Sequence, residues 1–318
     1  MPANAIKKTT MKAVRIHSFG GPDVLQLEEI PKPKPKAQEL LVRVHAAGVN
    51  PADWKIREGL LGKIPLPAIV GGDFSGEVEE LGAEIRDYHV GEAVFGVVAS
   101  GSGSYAEYAV APVSQVIEKP PGLSQFEAAA LPIASLTAWQ ALFDTAALQS
   151  GQRILIHAAA GGVGHFAVQF AKWKQAHVIG TASAENSEFV RQLGADEVID
   201  YRKSKFDEIV RNADVVLDTI GGETQERSWK VLKRGGILVS TVQPPSPEAA
   251  ATHGVRGAFL LSNQRRIDEL ASIAELVLSG RVKVHIHTIL PLGDARKAQE
   301  LSQSGHVIGK MVLRVGEA

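Results

Sequence analysis

A chain of 318 residues, 45% apolar and 22% charged, has material for two buried cores, and its formal net charge of −1 gives no electrostatic footing for nucleic acid or an anionic membrane. It contains no cysteine, which excludes disulfides, thiolate zinc sites, iron–sulfur clusters and a cysteine nucleophile, and agrees with a reducing cytoplasm as its expected location. No apolar run suits a membrane span, because Ala128 to Leu142 is broken by Pro132 and polar residues.

Residues 1–10 lack the apolar centre of a secretory signal and read as a loose arm or an expression remnant before Met11. From there to about residue 126, strand-like pieces such as Lys12 to Ile16, Leu40 to Ala46 and Gly76 to Leu81 alternate with glycine and proline turns. That pattern predicts a mainly β domain of strongly bent sheets. Pro31 to Lys36, alternating proline and lysine, is a solvated connector.

The middle of the chain changes period. Ile154 to Lys172 predicts a short buried strand, a glycine-rich turn and the first turns of a helix. Strands follow at His177 to Thr181, Glu197 to Tyr201, Asp214 to Thr219 and Ile237 to Val242. Helical segments lie between them around Phe189 to Leu193, Phe206 to Arg211 and Gln225 to Leu232, the last stopping at Gly235-Gly236. Such alternation means parallel strands with crossover helices, so residues 127–263 are expected to form a Rossmann-type, doubly wound parallel sheet. Beyond it come a helix from Arg266 to Leu278, a strand from Val282 to Ile289, a helix from Asp294 to Ser302 and a last strand from Lys310 to Val315. A lone final strand needs a sheet to join. Residues 264–318 are therefore expected to complete the domain begun by 11–126, making it discontinuous.

The turn Ala159-Ala160-Gly161-Gly162-Val163-Gly164 carries the chemistry. Small residues at a strand-to-helix junction admit a dinucleotide pyrophosphate to the backbone N–H groups and the positive helix end. Alone the run is compatible with plain packing; within a βαβ series, Gly161, Gly162, Val163 and Gly164 are expected to line the phosphates. The second strand ends in Thr181-Ala182-Ser183, without the acid that would hold a ribose 2′-hydroxyl, which favours NADPH over NADH and offers Ser183 to the 2′-phosphate. Against this, Glu185 stands in the next loop where a cation would help, and Arg202 and Lys203 are either its compensation or ordinary surface charges. Gly221, Thr241 and Val242 follow later strands, on the edge where open parallel sheets bind ligands. His285 and His287 make too small a donor set for a metal, and no Ser/His/Asp arrangement is legible.

Met11 to Val14, Ala46 to Lys55, Gly71 to Val78, Gly91 to Gly96, Gly103 to Tyr108, Ala128 to Trp139, the glycine turn and Gly305 to Lys310 together resemble the medium-chain dehydrogenase/reductase superfamily. The resemblance is to its zinc-free quinone oxidoreductase and enone reductase branch, in the family's order from residue 11 to the end. It implies a GroES-like catalytic domain beside the Rossmann domain. Zinc enzymes of this fold place a cysteine in the segment matching Asn50 to Asp53 and a His-Glu pair at the positions of Gly72 and Asp73; neither is present, so no metal is expected. The resemblance puts Asn50 beside the nicotinamide ribose and substrate, with an Asx turn before Pro51 as the competing role. It brings Lys55 to the cofactor or to the acceptor's carbonyl oxygen, unless that lysine is merely solvated. Thr137, taken to begin the helix entering the nucleotide domain, is either a nicotinamide-side contact or a cap. Asn186 and Tyr201 fall at the 2′ end, and Phe259, Leu260, Leu261, Gly309 and Lys310 resemble later cofactor contacts.

The expected activity is therefore zinc-independent, NADPH-dependent hydride transfer to a quinone or an α,β-unsaturated carbonyl, a small-molecule electron acceptor. The alternatives are a 2-alkenal or enone double-bond reductase with little quinone activity, and an NADPH-binding sensor or crystallin-like protein without turnover. A homodimer formed by strand pairing around Val255 to Leu261 is a further expectation.

Overall fold

The computed structural model describes residues 9–260 and 267–316. These form two compact units, one made of 9–133, Ile286–His306 and 310–316, the other of 134–260, 267–285 and Val307–Gly309.

The first unit opens with β1 (Thr10–Ile16), β2 (Gln26–Pro31) and β3 (Glu39–Val49), then a short helix α1 (Pro51–Arg57). It continues through β4 (Ala68–Ile69), β5 (Asp73–Leu81), β6 (Ala93–Val97), β7 (Tyr108–Pro112), β8 (Val116–Glu118) and α2 (Gln125–Ala130). Helix α2 starts at a reciprocal cap, Ser124 Oγ accepting from Glu127 N and the Glu127 carboxylate from Ser124 N, at 3.2 and 3.0 Å. Strand β3 pairs with β5 and β7, and its run Leu40 to Ala47 is buried at every position but Arg43. It is the centre of the unit, packing Leu40, Val42 and Val44 against Phe74, Val78, Val94 and Val116.

The second unit begins within α3 (Pro132–Trp139), which runs on as a π-helical segment, Gln140–Thr145. The βα alternation follows: β9 (Arg153–Ile156), α4 (Gly164–Trp173), β10 (His177–Ala182), α5 (Ser187–Gln192), β11 (Glu197–Asp200), α6 (Phe206–Ile209), β12 (Ala213–Asp218), α7 (Gly222–Ser228), β13 (Leu232–Ser240), α8 (Pro247–His253) and β14 (Arg256–Phe259). All six strands are parallel, in the order β11-β10-β9-β12-β13-β14. The chain thus winds outward from β9 in both directions and reverses between β9 and β12, the doubly wound arrangement whose ligand lies off the strand C-termini at the reversal. One local expectation fails. Gly235 and Gly236 do not stop a helix, because β13 already begins at Leu232 and carries both glycines across a register shift opposite Ala213 and Val215. The helix ends sooner, at Ser228, with one 3-10 turn after it.

Helix α9 (Ile267–Leu278) belongs to this second unit, although the sequence placed 264 onward with the β-rich domain. It buries Leu270, Ile273 and Ala274, and its Glu269 accepts from Gln140 Nε2 at 2.9 Å. Only then does the chain return, through β15 (Ile286–Pro291), α10 (Ala295–Ser304) and β16 (Lys310–Arg314). Strand β16 pairs antiparallel with β3 and parallel with β15, completing a seven-stranded sheet. The last strand finds its sheet in the first unit, as its isolation required.

Candidate functional site

The phosphate turn is built by steric exclusion. Between β9 and α4 the backbone doubles back through Ala158, which has φ +47°, and Gly161 N donates to Ala158 O at 2.9 Å. A Cβ on Gly164 would stand 2.2 Å from that same carbonyl oxygen and 2.8 Å from the Ala159 Cα. Only glycine lets the helix start this close to the preceding strand. The N–H groups of Gly162 and Val163, half-buried ahead of α4, make no hydrogen bond within the described residues. Donors, helix end and open backbone therefore coincide, which is what a pyrophosphate needs. Gly309 is brought here too: its N–H donates to Ala160 O at 2.7 Å, and its φ of +64° and a close approach to His285 O (2.3 Å from a would-be Cβ) admit no side chain.

His157, at the end of β9, ties three elements together. Its Nδ1 lies 3.2 Å from Thr181 Oγ1 and its Nε2 2.9 Å from Ser228 Oγ. Burial lowers its pKa from the usual 6.5 to about 4, against the attraction of Asp218, so the ring is neutral. It is a structural tie, not an acid.

The ends of β10 and β11 hold the predicted 2′ subsite. Ala182 and Asp200 are register partners, and Tyr201 N donates to Ala182 O at 3.2 Å. Ser183 is buried; Asn186 is half-buried, Tyr201 is 55% exposed, and Glu185 and Arg202 are exposed. Arg202 reaches Glu185 Oε1 at 3.3 Å and lies 5.7 Å from the centre of the Tyr201 ring. The Glu185 carboxyl is held below its ordinary pKa, first by the neighbouring Ser183 hydroxyl and then by Arg202.

Asp218, at the end of β12, escaped the sequence reading and organises the next two loops. One of its carboxylate oxygens accepts from Ile220 N (3.0 Å) and Gly221 N (2.8 Å), the other from Gln225 Nε2 and Ser240 Oγ, both at 2.9 Å. Thr241 N bonds the Asp218 carbonyl at 3.0 Å, so Gly221, Thr241 and Val242 are drawn to one strand edge as expected. Leu260 N donates to Ser240 O, which sets Phe259 and Leu260 beside that edge; Leu261 lies outside the described residues. Thr137 is not a helix start. It is a buried residue well inside α3, so the capping role falls away.

In the first unit, the residues matching the metal region of zinc enzymes form a closed polar cluster. Asn50 is buried at the head of α1 and donates through Nδ2 to Asp73 Oδ2 at 2.8 Å. The Lys310 ammonium, 2% exposed, donates to Asn50 Oδ1 and to Val49 O (2.8 Å), 4.0 Å from Asp73 Oδ2. Burial pulls the Lys310 pKa down, opposed by Asp73 and Asp53. Asp53 accepts from Asn50 N at 2.8 Å and from the Tyr105 hydroxyl at 2.9 Å, fixing the loop, and burial raises its pKa to about 7. Lys310, expected among the later cofactor contacts, has its ammonium engaged inside its own unit. Lys55, on the same helix as Asp53, is half-buried and lies 5.6 Å from the Trp54 ring centre. Among the described residues no three His, Asp or Glu side chains gather as a metal ion requires. No helix of those residues is long and apolar enough to cross a membrane.

A doubly wound parallel sheet with a glycine phosphate turn, together with a β-rich unit completed by the chain's last strand, defines a two-part dehydrogenase/reductase. Comparison with known proteins is specific. An alcohol dehydrogenase GroES-like domain family matches residues 36–121, and a zinc-binding dehydrogenase family matches 193–313. The chain is 34% identical to a chloroplast envelope quinone oxidoreductase homolog of Arabidopsis thaliana, over 95% of this chain and 98% of that one. It is 32% identical to the quinone oxidoreductase of Mus musculus, over 95% and 97%. Among solved structures, the quinone oxidoreductase of Coxiella burnetii superposes with a TM-score of 0.91 at 38% identity, covering 96% of this chain and all of that one. The Escherichia coli quinone oxidoreductase complexed with NADPH gives 0.90 at 29% identity, with the same coverage. The chain belongs to the medium-chain dehydrogenase/reductase superfamily, and it is an oxidoreductase related to the quinone oxidoreductases.

Proposed function

We propose that this protein is a zinc-independent, NADPH-dependent reductase of quinones or other conjugated carbonyl compounds. The observation that carries the reading is the phosphate turn, where two N–H groups without partners among the described residues, those of Gly162 and Val163, directly precede a glycine that tolerates no Cβ, Gly164. Full-length similarity to quinone oxidoreductases, one of them holding NADPH, supports the choice of coenzyme and acceptor. The donor set argues for zinc independence: Asn50 and Gly72 are not zinc-ligand residue types, and an ammonium stands 4.0 Å from Asp73.

When bound, the nicotinamide supplies a hydride and a solvent proton completes the two-electron reduction. The chain's own residues bind and orient. Gly162 and Val163 donate to the pyrophosphate, and Asp218 holds Gly221, Thr241 and Val242 in place along the sheet edge. Lys55, half-buried on α1, is the cation offered to the acceptor oxygen as negative charge develops there. Among the described residues the edge strand β14 pairs on one side only, and a homodimer through its other edge completes the proposal.

Steady-state oxidation of NADPH and NADH against benzoquinones, naphthoquinones, alkenals and cyclic enones tests this directly. Quinone turnover that survives exhaustive chelation supports it. Turnover confined to alkenals and enones makes the protein a double-bond reductase, and tight NADPH binding without oxidation of any acceptor makes it a nucleotide-binding protein. Failure to bind either coenzyme overturns the proposal altogether.

A further inference from the structure

We propose that Glu185 is an internal anion occupying the donors of the 2′ subsite, and that it sets how this protein divides its affinity between NADPH and NADH. The inference rests on the dinucleotide reading above and adds the residue that decides specificity.

The strand ends present two groups suited to a 2′-phosphate. Ser183 is a buried hydroxyl one residue past β10, and Arg202 is a guanidinium two residues past β11, held near by the pairing of Ala182 with Asp200. The guanidinium is already engaged by a carboxylate beside Ser183. Arg202 bonds Glu185, the guanidinium reaching both carboxylate oxygens at 3.3 and 3.4 Å, and Ser183, two residues earlier in the chain, helps hold that carboxyl below its ordinary pKa. Lys203, the next cation along, lies 4.0 Å from Asp200, and Lys205 lies 3.2 Å from Glu208. The carboxylate thus sits where a phosphate would seek its partners.

The strength of these contacts decides the outcome. Glu185 and Arg202 are both solvent-exposed, and an exposed ion pair is weak enough for a competing dianion to open. NADPH must displace Glu185 to reach Arg202, which lowers its affinity. NADH leaves the pair closed, and a carboxylate at the end of the second strand is the group that accepts from a ribose 2′-hydroxyl. The chain therefore binds both coenzymes, and Glu185 narrows the gap between them.

Equilibrium titration of the full-length protein with NADPH and with NADH, for the wild type, Glu185→Gln, Arg202→Ala and the double variant, tests the proposal. Glu185→Gln is expected to tighten NADPH binding by about tenfold while leaving NADH unchanged or weaker, the effect of releasing one charge-assisted contact to the ligand. Arg202→Ala is expected to weaken NADPH by about tenfold and to cancel the gain in the double variant, with Tm unchanged throughout. An NADPH-to-NADH affinity ratio that Glu185→Gln moves by less than about twofold overturns the proposal. An Arg202→Ala protein that binds NADPH like the wild type does the same. Wild-type protein that binds neither coenzyme is a different result, and it removes the dinucleotide reading itself.

Discussion

Gly164 and the carbonyl of Ala158 approach so closely that a single added methyl would lie 2.2 Å from the oxygen. The contact brings the first turn of α4 against the end of β9 and leaves the preceding N–H groups facing outward. Gly164→Ala is expected to force the turn open, costing about 1–3 kcal/mol of stability and at least about tenfold in coenzyme affinity. Gly161→Ala is the control. Its Cβ would meet the same oxygen at 3.3 Å, so a small adjustment suffices and the fold should be nearly untouched. Thermal melts and coenzyme titrations of the two variants check the contrast; equal losses would show that the close approach is not what matters.

Asp218 satisfies four donors, two from the loop before α7, one from α7 and one from the end of β13, and is fully buried. Asp218→Ala leaves them unpaired and is expected to destabilise the protein by about 3 kcal/mol. Asp218→Asn keeps the size but offers one oxygen where two are needed, so it should recover only part of that loss. Denaturant unfolding measures both, and a Ser240→Ala background tests the coupling: the Ser240 effect should shrink once Asp218 is gone.

The distinction between the two units was plain in the sequence because it is local. Runs such as Ile154 to Ile156 and Val215 to Leu217, cut by helical patterns, admit only a parallel sheet, and the glycine turn lies where the first βα junction must be. What escaped was set by distance. Asp218 ends a strand, which in sequence is an ordinary place for a polar residue; only the return of β13 brings Ser240 to it. Gly235-Gly236 resembled a helix stop because strand β13 begins before them and bends through a register shift. The amphipathic pattern of α9 announced a helix with one apolar face but carried no address for that face. Lys310 and Asn50 are 260 residues apart, so the burial of one ammonium on the other's side chain had no local signal.

Lys310 is the buried counter-charge for Asp73, 4.0 Å away, and the donor that fixes the Asn50 amide. Removing it takes the ammonium away from the buried Asp73 carboxylate, which keeps its hydrogen bonds from Asn50 Nδ2 and Ile133 N. Lys310→Met is expected to cost about 3–5 kcal/mol, whereas the Lys310→Met, Asp73→Asn pair should regain a good part of that loss because no lone charge remains. Guanidinium unfolding of the single and double variants is the measurement. Strict additivity of the two single effects would show that the ammonium and the carboxylate are not partners.

His157 gives the nucleotide unit a pH dependence whose sign can be worked out from its hydrogen bonds. Ser228 Oγ donates to Thr224 O at 2.6 Å, so it accepts from His157 Nε2–H, and Nδ1 is left to accept from the Thr181 hydroxyl. That pattern requires the neutral ring. Protonation puts a second donor against Thr181 and a charge into a buried site, which is why the folded pKa falls to about 4. A pKa lowered in the folded state means that the unfolded chain binds the proton first as pH drops. The stability held by neutral His157 is complete above about pH 6.5 and is lost progressively toward pH 4, by roughly 3 kcal/mol across the interval. His157→Gln, which can donate to Ser228 without titrating, should flatten this part of the stability curve while starting from a lower value at pH 8. Unfolding free energies measured at half-unit intervals from pH 4 to 8 decide the matter, and a slope unchanged by the substitution would assign the acid sensitivity to other groups.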